Sequence, residues 1–134
     1  MKFRYGHLCF YVKDLDASVK FYSEHLGFRK MFEQHFDAYD VHCVYLRIAP
    51  GQFLELFNAK QELDNSHASF QHLCLHVDDL QAVYEELTAK GLKMTPVEMG
   101  MAQCYKSYLD DPDGNKIELM QLTENSLQTI HDHD

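Results

Sequence analysis

His7-Leu8-Cys9-Phe10-Tyr11-Val12-Lys13-Asp14-Leu15-Asp16-Ala17 returns 65 residues later as His72-Leu73-Cys74-Leu75-His76-Val77-Asp78-Asp79-Leu80-Gln81-Ala82, sharing His, Leu, Cys, Val, Asp, Leu and Ala. A second echo is spaced by 63 residues: Gly51-Gln52-Phe53-Leu54-Glu55-Leu56 and Gly114-Asn115-Lys116-Ile117-Glu118-Leu119. A period this long is no short solenoid unit, so it reads as duplication of one supersecondary module with a site shared between the halves. Each copy sets a His and a Glu at matching points. His7, Glu55, His72 and Glu118 are therefore the candidate metal ligands.

Working outward from the echoes, each copy spells strand, helix, then three strands. The first opens with an alternating strand near 5 to 12. Asp14 and Asp16 supply carboxylates to the start of a helix whose apolar positions are Leu15, Val19, Tyr22 and Leu26, and Gly27 closes it. Strands follow at 28 to 34, 41 to 49 and 52 to 57, with a polar turn over 35 to 40 and Pro50-Gly51 between the last two. The second copy has a strand at 70 to 77, a helix from Asp79 to Lys90 closed by Gly91, and strands at 93 to 98, 104 to 110 and 116 to 122. Asp110-Asp111-Pro112-Asp113-Gly114 is strong turn chemistry before the last of these. The expected organisation is one α+β domain over 1–122, with module one at about 1–58, a linker at 59–69 and module two at 70–122. A polar segment, 123–134, forms a short helix or a frayed tail; His131 and His133 in it could catch stray metal.

Composition narrows the partners. A chain of 134 residues is the size of one ordinary domain. Its 12 Lys and Arg against 21 Asp and Glu give a net charge of −9, which repels phosphate backbones and anionic lipid heads. Nucleic acid and membrane are thus unexpected partners, and the first residues carry no signal-peptide core, so a cytoplasmic location is expected. Cys9, Cys43, Cys74 and Cys104 form no C-x-x-C pair and suit reduced thiols. There is no glycine-rich dinucleotide motif, so no nucleotide cofactor is expected.

Side chains alternate across a strand, which tells the packed face from the free one. Leu8, Phe10 and Val12 oppose His7, Cys9 and Tyr11; Leu73, Leu75 and Val77 oppose His72, Cys74 and His76. Leu54 and Leu56 oppose Phe53, Glu55 and Phe57, and Ile117 and Leu119 oppose Lys116, Glu118 and Met120. In all four strands the candidate ligand looks away from the apolar, helix-facing side, so a curved sheet with helices outside would aim all four into one concavity. Two glutamates in a partly closed, aromatic-lined cup are costly unless paired or bound to a cation. A divalent ion held by two imidazoles and two carboxylates satisfies them, and this donor set admits nickel, zinc, cobalt, manganese or iron. The alternative is local hydrogen bonding by the histidines, with the glutamates paired to Arg47 or Lys106. Arg47 shares its parity with Tyr45 and Cys43 and could hold a substrate carboxylate or pair with a nearby acid. Lys106 is its counterpart in module two.

These features resemble the vicinal oxygen chelate superfamily of glyoxalases, bleomycin-resistance proteins and dioxygenases. The resemblance spans His7 to Leu122. It is carried by His7 with Val12-Lys13-Asp14-Leu15, Phe21-Tyr22 to Leu26-Gly27-Phe28, His72 with Val77-Asp78-Asp79-Leu80, and Asp111-Pro112-Asp113-Gly114 with Ile117-Glu118-Leu119. It implies two βαβββ modules forming an incomplete eight-stranded barrel with helices outside, and metal ligands on the first and last strand of each module. A full His, Glu, His, Glu set looks like glyoxalase I. The implied activity is a metal-dependent lyase or isomerase that converts the hemithioacetal of a 2-oxoaldehyde to a 2-hydroxyacyl thioester through an enediolate.

The resemblance also implies roles. Glu118 is the general base, with Glu55 its counterpart; the substrate is a small molecule, such as a thiol adduct; relatives often form homodimers. Tyr11 stands where glutathione-using glyoxalases tend to carry Arg, and Asn58 lies one residue from their usual Asn, so both count as substrate-binding candidates and the thiol stays open. The other readings are a fosfomycin-type thiol transferase or a dioxygenase, for which Glu55 would be spare, and a metal-free drug- or metabolite-binding protein.

Overall fold

A computed structural model of the protein describes Lys2, residues 4–64 and residues 70–132. The chain divides into two compact units, Met1–Ala68 and Ser69–Asp134. Each is a βαβββ module built on one four-stranded mixed sheet, so the α+β class expected from the repeat is the class observed. Of the expected linker, 65–69 lies outside the described residues, as does His133.

In the first module β1 (His7–Val12) leads into α1 (Leu15–Lys20), continued by a π-helical turn over Phe21–His25. Asp14 caps α1 by accepting from the Ala17 amide at 3.0 Å. That satisfies one of the amides a helix start leaves unpaired. Gly27, at φ +73°, lets the chain reverse, and the Phe28 amide then reaches back to the Tyr22 carbonyl at 3.0 Å. The strands β2 (Arg29–Phe36), β3 (Val41–Ala49) and β4 (Gln52–Asn58) complete the sheet in the order β1-β4-β3-β2. β1 runs parallel to β4, and β3 is antiparallel to β4. α1 packs on β4 and β3. The core, Val12, Tyr22, Leu46, Leu54 and Leu56, is fully buried. Each such leucine contributes about 2 to 3 kcal/mol by leaving water.

The second module repeats this with β5 (Leu73–His76), α2 (Leu80–Ala89), β6 (Glu98–Met99), β7 (Tyr105–Asp110) and β8 (Lys116–Gln121), ordered β5-β8-β7-β6. Asp79 caps α2 through the Ala82 amide at 3.0 Å, so Asp14/Ala17 and Asp79/Ala82 in the sequence echo are two copies of one cap. A short α3 (Leu127–His131) follows. Among the described residues no helix is long and apolar enough to cross a membrane.

Several boundaries differ from the sequence reading. β5 is shorter than 70 to 77: its pairing with β8 runs from Leu73↔Ile117 to His76↔Met120, so His72 lies just ahead of the strand. The strand expected at 93 to 98 begins at Glu98. Pro96 has no amide to give a ladder, and upstream of it Thr95 is tied to β7 partly through side chains, with Ser107 Oγ donating to its carbonyl at 2.6 Å and its own Oγ1 accepting from the Tyr108 amide at 2.8 Å. β2 runs to Phe36, past the turn expected from His35, and a 3-10 turn over Asp37–Tyr39 makes the reversal. Asn58 ends β4 instead of following it.

The turn before β8 sets where Glu118 falls. Asp111 is buried and its carboxylate accepts from the Asp113 amide (2.9 Å), the Asn115 amide (2.8 Å) and Asn115 Nδ2 (2.9 Å). Removing it strands buried donors, each worth about 1 to 3 kcal/mol. Asp111→Ala is expected to lower urea-unfolding stability by about 3 kcal/mol and Asp111→Asn by about half as much; a loss below about 0.5 kcal/mol for Ala would refute this role for the turn.

Candidate functional site

Strand order places residues of three strands side by side. In module one Cys9 on β1 pairs with Glu55 on β4, and Glu55 pairs with Tyr45 on β3. In module two the same row reads Cys74, Glu118, Tyr108. His7 stands two residues before Cys9, so it shares the face of Cys9, and His72 holds the matching place before Cys74.

The contacts follow the rows. His7 Nε2 lies 3.0 Å from Glu55 Oε2, and the Tyr45 hydroxyl donates to the same oxygen at 2.9 Å. Cys43 Sγ approaches Glu55 Oε1 at 3.5 Å. His72 Nε2 lies 3.0 Å from Glu118 Oε2, and Tyr108 stands beside Glu118 in register, where burial and then the Glu118 charge raise its pKa. The carboxylates are well covered, with side chains 13% exposed at Glu55 and 7% at Glu118. Such groups demand compensation. Imidazole and phenol provide it, and Arg47 and Lys106 do not take part in ion pairs with either glutamate among the described residues. Each imidazole meets its tyrosine edge-on, at 5.6 Å between centroids for His7–Tyr45 and 6.5 Å for His72–Tyr108. Phe32 stacks on Tyr45 at 4.8 Å and holds its ring upright.

The two tyrosines are the functional candidates that the sequence reading missed. Their signal was present: the 63-residue echo extends upstream of Gly51 and Gly114 to Tyr45-Leu46 and Tyr108-Leu109.

The remaining candidates divide. Arg47 lies on the Tyr45 face of β3, opposite Phe53. Tyr11 continues the His7–Cys9 face, largely exposed, with its ring 6.0 Å from Phe57. Lys106 shares the Tyr108 face of β7, which resolves its direction, and Lys106 Nζ and Lys116 Nζ each sit 5.8 Å from the Tyr108 ring centre. A cleft of about 440 Å³ opens there, lined among others by Lys93, Thr95, Tyr108 and Lys116. Asn58 is placed elsewhere: its parity is opposite to that of Glu55, its Oδ1 accepts from the His42 amide at 2.7 Å and its Nδ2 donates to the Asp40 carbonyl at 3.4 Å. It secures the end of the β2–β3 hairpin.

Within each module the donors fit a divalent ion. Two ligands at right angles on bonds of about 2.1 Å lie about 3 Å apart, and both Nε2–Oε2 separations are 3.0 Å. His72 Nδ1 also contacts Gln71 Oε1, so both ring nitrogens of His72 have a polar neighbour. The thiols are poor competitors as ligands. Burial, then the charge of Glu55, pushes Cys43 up to about 12; burial, then Glu118, pushes Cys74 up to about 11. Burial and Glu55 likewise hold Tyr45 protonated, up to about 12, as a donor. All four cysteines are free.

Residues 4–119 match the family described as Glyoxalase/Bleomycin resistance protein/Dioxygenase superfamily. A lactoylglutathione lyase of Haemophilus influenzae is 30% identical over 123 residues, covering 86% of this chain and 90% of its own. A probable lactoylglutathione lyase of Vibrio parahaemolyticus is 32% identical over 124 residues, covering 86% and 88%. The crystal structure of a glyoxalase family protein from Enterococcus faecalis superposes with a TM-score of 0.77 over 87% of this chain and 96% of that one, at 24% identity, which shows a common fold.

The electrostatics give a direct check. In metal-free protein at pH 8, Cys74 is expected to alkylate with iodoacetamide at least ~10-fold slower than free cysteine, since little of it is thiolate. Glu118→Gln removes the second cause of the raised pKa and leaves burial, so the rate is expected to rise severalfold without reaching that of free cysteine. An unchanged or slower rate, read by peptide mass spectrometry, would contradict the placement of Glu118 against Cys74.

Proposed function

We propose that this chain, which belongs to the Glyoxalase/Bleomycin resistance protein/Dioxygenase superfamily, is a metal-dependent lyase of glyoxalase I type. Its substrate is the hemithioacetal of a small thiol and a 2-oxoaldehyde, and its product is the 2-hydroxyacyl thioester. The single observation that carries this reading is the duplicated His–Tyr–Glu arrangement, with a carboxylate, buried at Glu118 and largely covered at Glu55, at the same register position in both modules. A thiol transferase or dioxygenase would leave Glu55 spare, yet Glu55 is held by the same partner types as Glu118. Relatives named lactoylglutathione lyase, matched over nearly their whole length, support the reaction class.

His7, Glu55, His72 and Glu118 are the residues that would hold the ion, whether nickel, zinc, cobalt, manganese or iron. When bound, it supplies a Lewis acid beside two adjacent substrate oxygens, where negative charge develops. Glu118 is the proposed general base: it takes the proton from C1 and returns it at C2, while the C1 hydroxyl proton passes to the C2 oxygen, so the C1 hydroxyl becomes the thioester carbonyl and the C2 carbonyl becomes the hydroxyl. Electrons stay within the substrate, and no nicotinamide or flavin is required. Tyr45 holds Glu55 in place by donating to it, and Tyr108 is its counterpart beside Glu118. Glu55 is the matching carboxylate and the alternative base.

Arg47, Lys106 and Lys116 offer cationic groups for an anionic thiol moiety. Tyr11, in place of an Arg, leaves the thiol wider than glutathione. The same reading expects a cytoplasmic homodimer.

Proton NMR in D₂O tests the reading, using methylglyoxal hemithioacetals of glutathione and of other small thiols with nickel, cobalt, zinc or manganese added. Turnover to the thioester is expected with at least one metal and thiol. Glu118→Gln is expected to lose about 10²- to 10⁴-fold in kcat, while Tyr108→Phe weakens metal affinity by about 10-fold or more. No turnover with any pairing, together with consumption of fosfomycin or a catechol, would overturn the proposal.

A further inference from the structure

The β2–β3 hairpin carries metal-ligating chemistry that the site above does not use. Register fixes its facing. Glu33 pairs with Val44 and His35 with His42, whereas Phe32 pairs with Tyr45 and Tyr45 with Glu55. Glu33, His35 and His42 therefore share the Val44 face of the sheet, opposite the face that holds Glu55.

One donor atom from each of the three lies within 4.8 Å of the others. Glu33 Oε2 and His42 Nε2 are 3.3 Å apart, and the rings of His35 and His42 stack at 3.6 Å between centroids. In a tetrahedral site with bonds of about 2.0–2.1 Å, ligand atoms are about 3.4 Å apart. One edge of such a site is thus formed, and side-chain rotation closes the others. Glu33 and His35 are exposed and His42 is half-buried, so little packing resists that rotation. The other partner of Glu33, Lys30 Nζ at 3.0 Å, is an exposed ion pair, worth little in water.

We propose that Glu33, His35 and His42 form a second divalent-metal site, with water in the fourth position, for zinc, copper(II) or nickel. Two imidazoles and one carboxylate suit these ions and disfavour calcium and magnesium, which prefer all-oxygen shells. The site clasps an edge strand. β2 is exposed along its length and, among the described residues, pairs only with β3. His35 and His42 stand directly opposite each other beside the reversal at Asp37–Tyr39, so an ion bridging them pins β2 at its free end. Binding to the folded hairpin stabilises it by mass action.

The proposal is tested with zinc on untagged, metal-free protein, using calorimetry, imidazole NMR and thermal melts. A His7→Ala/His72→Ala variant is expected to keep one zinc equivalent, with shifts centred on His35 and His42. Adding His35→Ala and His42→Ala is expected to weaken that binding at least about 10-fold and to abolish the zinc-induced rise in Tm; Glu33→Gln weakens it less. Wild-type protein provides the same NMR reading should the first variant not fold. Zinc shifts centred on other histidines, such as His131, no binding up to millimolar zinc, or binding indifferent to His35→Ala/His42→Ala would overturn the proposal. Failure here leaves the equivalent held through His7 and His72 intact, and failure of the lyase reading leaves this equivalent intact.

Discussion

A largely covered carboxylate that must be given partners is the constraint on which each module is built. Glu55 and Glu118 sit on the central strand of three, with a parallel neighbour bringing a histidine and an antiparallel neighbour bringing a tyrosine. The strand order β1-β4-β3 is what makes this possible, because the last strand of the βαβββ unit inserts between the first and the third. The cap at Asp14 or Asp79, the helix it starts and the leucines beneath fix the back of the sheet, and parity then dictates what faces forward. Glu118 adds the turn at Asp111, whose three accepted hydrogen bonds set the start of its strand.

Much of this was legible in the sequence. The echo from His7 and from His72 captured the β1–α1 and β5–α2 joints, and alternation placed the apolar side of the four segments that carry His7, Glu55, His72 and Glu118. What was missed has identifiable causes. His72 was counted inside a strand, but the pairing with β8 starts one residue later, at Leu73↔Ile117. The segment before Glu98 carries strand-like residues, but Pro96 withholds a ladder bond. His35 looked like a turn residue in a polar stretch, while cross-strand pairing with His42 keeps it extended. Tyr45 and Tyr108 were passed over because the second echo was read from its glycines rather than from the strand before them.

The surroundings of the carboxylates also explain why thiols beside them need not be ligands. Cys9 and Cys74 neighbour the glutamates in register, and Cys43 touches Glu55, yet burial and carboxylate charge raise all three pKa values. A thiol must release its proton against both effects before it can ligate, whereas a neutral imidazole already carries a lone pair. The chemistry proposed is therefore that of nitrogen and oxygen donors.

Zinc K-edge X-ray absorption on protein loaded with one equivalent, with His35→Ala and His42→Ala removing the hairpin donors, tests this most directly. Nitrogen and oxygen scatterers alone at about 2.0–2.2 Å, including two imidazoles, are the expected result. A sulfur scatterer at about 2.3 Å, or a single imidazole on the ion, would contradict the proposal that both His–Glu pairs serve one metal.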